Sequence, residues 1–346
     1  MRRLTSATGA LTLILIALAA SPRPASGQGS TAASSGIVRD TSLAPARAGD
    51  FPLRGRFDPG QAGFTVRVNS WPVSYRYMAV LALPGEEVTI EVADAGEHAY
   101  RIRIAAGTAR VTAASSWTWT APDEVGTHAV RIERADGPGF VHLNVLVMQP
   151  MSAVKGGALN GYPIGSYRAR PFRGLPRYRP PVGFAEVRSA DEDILASPHF
   201  TVGQFLCKEP GKPRYMVLSP FLLLKLEAAL QAANDAGHAT HSFFVMSGFR
   251  TPAYNRAIGN RTSSSRHLWG DAADIYIDND GDGIIDDLNG DGRSNIEDAR
   301  LLARIVDGME EDAPDGVIPG GISVYDANPA HGPFVHVDSR GYRARW

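Results

Sequence analysis

The chain has 346 residues, and its 35 Lys+Arg nearly balance 36 Asp+Glu, which gives no basis for nucleic-acid or membrane-surface binding. A hydrophobic content of 44% at this length is enough for real cores and about two domains. Cys207 is the single cysteine, so an internal disulfide is excluded and stability must come from the core or from bound ions.

Residues 1–28 pair Arg2 and Arg3 with an apolar run over residues 11–20 and then small residues. That run is too short to span a bilayer, and the pattern is that of a secretory signal peptide. An exported protein, periplasmic or extracellular and without stable membrane insertion after cleavage, is the expectation. Residues 29–50, rich in Ser, Ala and Gly, read as a flexible leader.

Residues 51–150 carry short alternating runs such as "EEVTIEVAD", "AYRIRIAAG", "THAVRIERAD" and "FVHLNVLVM", separated by Gly, Pro or Asp turns. This spacing predicts an all-β, Ig-like sandwich. Trp117 and Trp119 fall on one strand face, and filling the sandwich core is the stronger reading than stacking on sugars. Residues 151–185 lose the periodicity; Arg168, Arg170, Arg173, Arg177 and Arg179 sit among Pro and Gly, as in a solvated linker.

Residues 186–346 mix helix and strand signals, which predicts an α+β domain. Ser219 before Pro220 is a helix-start signal, with the serine hydroxyl placed to cap. "FLLLKLEAALQAANDAG" then predicts a helix over residues 220–236, stopped by Gly237. "HSFFVMSGFR" reads as a strand that delivers Arg250 to its end, and "FVHVD" as another strand.

His267 and Asp274 are spaced H-x6-D, and His336 offers a third ligand from a separate strand. Two near ligands and one remote one suit a catalytic zinc, which keeps a position open for water. Asp271 gives the shorter H-x3-D spacing, so spacing alone leaves the aspartate undecided.

The segments around Ser247, Phe249, Arg250, Thr251 and Asn255, then Ser265, His267, Gly270, Ala272 and Asp274, then His336 and Asp338, occur in one order. Together they resemble the M15 zinc peptidases, the DD-carboxypeptidases and murein endopeptidases of bacterial walls. The resemblance covers residues 186–346 and favours Asp274 over Asp271. It implies a hedgehog/DD-peptidase-like fold, zinc on His267, Asp274 and His336, and Arg250 holding a substrate carboxylate or an oxyanion. Relatives place an acid or histidine a few residues before the last zinc histidine as general base. Here Pro333 and Phe334 stand just before Val335, so His331 is the first candidate base and Asp338 the second. Asp338 lies on the same strand face as His336, which equally suits it to orient that ligand.

The acidic stretch that follows points to calcium. "DLNGDGRSNIED" sets Asp287, Asn289, Asp291, Asn295 and Asp298 at positions 1, 3, 5, 9 and 12 of an EF-hand-like loop, with Gly292 at position 6. Ending on Asp, it resembles the calcium loops of dockerin modules. The preceding "DNDGDGIID" adds Asp278, Asp280, Asp282 and Asp286. Residues 278–298 are therefore expected to bind structural Ca2+ through oxygen ligands while imidazole selects Zn2+.

The combined expectation is an exported, cell-wall-associated zinc peptidase that hydrolyses peptidoglycan stem peptides or cross-links. The alternatives are a non-hydrolytic zinc- and calcium-stabilised wall-binding module and a dockerin-like docking partner. One full loop lying inside the domain, rather than a paired tail, speaks against the last.

Overall fold

A computed structural model describes residues 36–346, so the signal-peptide reading and residues 29–35 lie outside the described residues. The fold is mostly β, with three α-helices among the described residues. None of those helices is long and apolar enough to cross a membrane.

The alternating runs build two five-stranded sheets. One orders Ile37–Arg39, Tyr100–Ile104, Gly126–Arg134, Phe140–Val147 and Tyr77–Ala82; the other orders Trp71–Tyr75, Gln61–Val68, Glu87–Ala93, Ser116–Thr120 and Thr108–Ala113. Glu87–Ala93 alternates exposed and buried residues along nearly its whole length, as a strand with one wet face must. Pairing in the first sheet is mixed, because Phe140–Val147 runs parallel to Tyr77–Ala82 and Ile37–Arg39 parallel to Tyr100–Ile104. Trp117 and Trp119 are buried in the core, and the Trp119 indole donates to the Ala106 carbonyl at 3.0 Å.

Two segments differ from the sequence expectation. Within the leader, Ile37–Arg39 pairs as a strand, Ala46 is buried, and the Asn144 side chain bonds both its N–H and its carbonyl. Residues 151–185 are not a solvated linker either. Leu159, Tyr162, Ile164 and Tyr178 are buried, and Gly183–Val187 pairs with Gln149–Pro150 and Arg214–Met216. The physical reason is that a few apolar anchors bury against distant partners, a long-range effect that local composition does not register. One hydrophobic cluster runs from Val66 through Phe184 to Val337, so the β-rich and α+β regions share a core within a single compact unit.

The C-terminal region centres on a five-stranded sheet in the order Phe244–Ser247, Ala272–Tyr276, Phe334–Asp338, Gly321–Tyr325, Ala344–Arg345. Helix α1, Pro220–Asp235, begins at Ser219 and ends before Gly237, whose φ of +92° is left-handed. The Ser219 hydroxyl makes no capping bond, contrary to expectation. This helix buries most of its length, including Lys225, whose ammonium donates to the Asp338 carbonyl at 2.7 Å and pairs with Glu310. Glu310 lies on α3, Ile296–Glu311, which buries one stripe of Asp298, Ala299, Leu302, Ala303 and Val306. The short α2, Pro252–Ala257, is capped by the Thr251 hydroxyl, which accepts from Tyr254 N–H at 3.0 Å.

Candidate metal centre

Asp274 and His336 stand directly opposite each other on adjacent antiparallel strands, with Ser247 opposite Asp274 on its other side. A period-2 strand fixes which face each residue shows, so this register delivers both groups to the same face. His267 comes from a short 3₁₀ turn, Arg266–Trp269, that ends at Gly270 with φ +64°. A Cβ there would run into the Val217 carbonyl, so only glycine allows the turn to reverse that close to the neighbouring chain.

Three donor atoms converge. His267 Nε2 lies 3.2 Å from His336 Nδ1 and 3.2 Å from Asp274 Oδ1, and the last two are 2.9 Å apart. Ligands on a tetrahedral zinc at about 2.0–2.1 Å stand about 3.3 Å from each other, so the triangle has the right size. The outer nitrogens fix the tautomers: His267 Nδ1 donates to the Gly248 carbonyl at 2.7 Å, and His336 Nε2 donates to Asp338 Oδ2 at 3.2 Å. Each imidazole therefore turns its other nitrogen toward the carboxylate oxygen. Two imidazole nitrogens and an anion facing one point, all buried, fit a cation that displaces the His336 proton.

Charge follows the same layout. Burial opposes ionisation of Asp274, yet His267 and His336 hold its carboxyl well below the usual carboxylate range. Burial keeps the His267 pKa below its ordinary value, with Arg250 acting in the same direction. Burial also disfavours the His336 imidazolium, but hydrogen bonds to Asp274 and Asp338 outweigh it and push the pKa up to about 9.

Asp271 is not part of the triangle: its carboxylate takes Arg266 in a buried ion pair, with Nε at 2.9 Å. Of the two aspartates the spacing left open, the geometry groups Asp274 with the two histidines. Asp338, a candidate base, is a correction. It is fully buried; Oδ1 accepts from Gly321 N–H at 2.8 Å and from Arg340, while Oδ2 accepts from His336 and Arg340. With its oxygens so engaged it orients His336 and cannot reach a substrate proton.

His331 lines the same cleft, of about 690 Å³, beside Arg250, His267, Asp274 and His336. Its Nδ1 donates to the Gly332 carbonyl at 2.8 Å, and its Nε2 accepts from Asn328 at 2.7 Å. Arg250 donates from Nε to the Ser247 hydroxyl at 2.7 Å and from Nη2 to Asp274 Oδ2 at 2.5 Å. Its Nη1 makes no hydrogen bond among the described residues.

Residues 198–286 match the family described as Peptidase M15. The match supports an M15 peptidase domain. It takes in Arg250, His267 and Asp274 and ends before His336. M15 peptidases are typically zinc-dependent, in keeping with the His/Asp/His triangle. No curated protein and no solved structure matches the chain.

Sequence reasoning missed two parts of the site. Trp346 walls the cleft, its ring centroid 5.4 Å from that of His336. The arginine-rich segment straps the His267 turn: Tyr167 Oη donates to Leu268 O at 2.8 Å, Trp269 Nε1 donates to Arg179 O at 2.7 Å, and Arg266 lies over Tyr178 at 4.2 Å. The Tyr and Pro content of residues 162–181 was the available signal.

The acidic loops repeat one geometry. Asp278 Oδ1 accepts from Gly281 and Asp282 N–H and its Oδ2 from Gly283, while Asp287 does the same with Gly290, Asp291 and Gly292. The structure gathers Asp278, Asp280 and Asp286, whose candidate ligand oxygens lie within 4.8 Å of one another. Asp282 instead accepts from Ile284 N–H. In the second loop, Asn289 accepts from Asp291 N–H, Asn295 caps α3, and buried Asp298 accepts from Leu288, Asn289 and Asn295 N–H.

Proposed function

We propose that this chain is an exported zinc metallopeptidase that hydrolyses amide bonds in peptidoglycan stem peptides or their cross-links. The observation that carries the reading is the buried triangle of His267 Nε2, Asp274 Oδ1 and His336 Nδ1, the first two of which lie in the stretch that matches the M15 peptidases. Zinc bound there would supply a Lewis acid for the scissile carbonyl and a water of lowered pKa. Gly248 and Asp338 hold the two imidazoles by their outer nitrogens, so neither ring must reorganise to present its lone pair. Arg250, a permanently charged fork on the cleft wall, holds a substrate carboxylate or the developing oxyanion through Nη1. His331 accepts the proton at Nε2 as the Asn328 amide gives way.

The acidic insert belongs to the same proposal as a structural calcium site. Its first loop is tied to the strand that carries Asp274, since Asp286 N–H donates to Ile277 O and Tyr276 Oη to Gly283 O. A like-charge cluster favours a divalent cation: burial raises the Asp286 pKa, and Asp280 and Asp278 raise it further. The N-terminal sheets are proposed to form an Ig-like sandwich that carries the peptidase region at the wall.

A second reading, a zinc module that binds wall peptides without cutting them, draws on one observation. Both His331 nitrogens are engaged within its own turn, and among the described residues the carboxylates that adjoin His336 are the proposed ligand Asp274 and the orienting Asp338. Mass analysis of purified muropeptides after incubation with the zinc-loaded full chain separates the two. Loss of a D-residue or splitting of a cross-link is expected; recovery of every muropeptide intact would favour the binding module.

A further inference from the structure

Beyond the metal cleft lies a second groove of about 420 Å³, between α3 and the strand Gly321–Tyr325. Its floor is apolar, with Ile296, Ala303, Ile322 and Val324, while Arg300 and Arg304 project from the exposed side of α3. Trp346 lines both this groove and the metal cleft, and it packs against the His336 ring. The indole is therefore a wall that the two cavities share.

Two features of the groove suit an extended, anionic peptide. The first is charge. Arg345 is tied to Asp307 and Glu310, and Arg300 pairs only with Glu297 at the surface, whereas Arg304 makes no hydrogen bond or ion pair among the described residues. An arginine without an ion pair, such as Arg304, beside an apolar floor attracts a carboxylate, which the guanidinium takes through two parallel N–H donors. The second is an open sheet edge. The strand Ala344–Arg345 pairs with Gly321 and Ile322, and Trp346 lies against the next positions, accepting from the Ser323 hydroxyl and donating from its indole to Tyr325 Oη, so on that edge the backbone of Val324 and Tyr325 has no strand partner among the described residues. An extended peptide can add there as a further strand.

We propose that this groove receives the second, carboxylate-bearing stem peptide of a cross-linked substrate, with Arg304 and Arg300 holding its carboxylate. The assignment rests on the peptidase reading above and makes the enzyme a cross-link endopeptidase rather than a carboxypeptidase of single stems. A single stem fills the metal cleft alone; a cross-linked pair spans Trp346 and fills both.

The test measures equilibrium binding of the zinc-loaded full chain to an uncleavable cross-linked dimer, its bridging amide N-methylated, and to the monomeric stem. Cleavage of the natural dimer and monomer is followed in parallel. Arg304→Glu and Arg300→Glu are surface changes that leave the core untouched. They are expected to weaken dimer binding about tenfold and to raise the dimer KM with little change in kcat. Monomer binding should be unaffected, and Arg304→Lys should keep most of the dimer affinity. A dimer bound no more tightly than the monomer, or dimer binding indifferent to both charge reversals, would overturn the groove assignment. Normal, Arg304-dependent dimer binding without cleavage of either substrate would overturn the peptidase reading and leave the groove standing.

Discussion

At the residue scale, each proposed zinc ligand is held by a partner behind it. Asp338 is the clearest case, since its oxygens link His336 to Arg340 and to the backbone of the next strand. Asp338→Asn removes the charge that orients His336 and should weaken zinc binding about 10- to 100-fold, measured by competition with a chromophoric chelator. Unchanged affinity would show that Asp338 does not act through His336. The raised His336 pKa gives a second expectation. In the zinc-free protein this imidazole is protonated below about pH 9, and a metal must displace that proton. Zinc affinity should therefore rise about tenfold per pH unit between pH 7 and 9 from this group, with one proton released on binding. The same sign means that the imidazolium stabilises the zinc-free fold fully below its ordinary value of 6.5, and that this contribution is lost as pH rises through about 9. If His331 takes the proton in hydrolysis, His331→Ala should lower kcat by about 10²- to 10⁴-fold and leave zinc content unchanged.

At the element scale, the strands and the strap divide the work of placing the ligands. The positions of His267, Asp274 and His336 were legible because their order and spacing resemble a known pattern, and α1 because Pro220 and Gly237 mark its ends. Neither Trp346 nor the strap was legible as part of the site. Tyr178 and Tyr167 lie about 90 to 100 positions before the turn that they brace, and no local period encodes a contact at that distance. Tyr178 is buried against Arg266 and Trp269, on either side of His267. Tyr178→Ala should cost about 3–5 kcal/mol in urea unfolding, as for other buried aromatics, and should weaken zinc binding as the His267 turn loosens. A loss below about 1 kcal/mol would mean that the strap merely lies on the surface.

At the scale of the whole molecule, the expected division into a β domain, a linker and a peptidase domain gives way to one continuous core. Composition marked residues 151–185 as a linker because Pro, Gly and Arg dominate there, yet Leu159, Tyr162, Ile164 and Tyr178 are enough to anchor it. A chain shortened to residues 186–346 should therefore fail to melt cooperatively by circular dichroism. A sharp transition equal to that of the full chain would restore the separate domain. The acidic insert acts on the same whole-molecule stability. If residues 278–298 hold calcium at about 100 times its Kd, chelating calcium alone removes about 2.7 kcal/mol and lowers Tm by several degrees. An unchanged Tm would remove calcium from the proposal. The central claim is that two residues close in the sequence and one remote residue make one zinc site. Zinc content per folded chain tests it most directly, measured on the full protein and on His267→Ala and His336→Ala. About one zinc in the full protein and little in either variant is the expected result. Equal zinc in all three, or none in the full protein at micromolar free zinc, would contradict it.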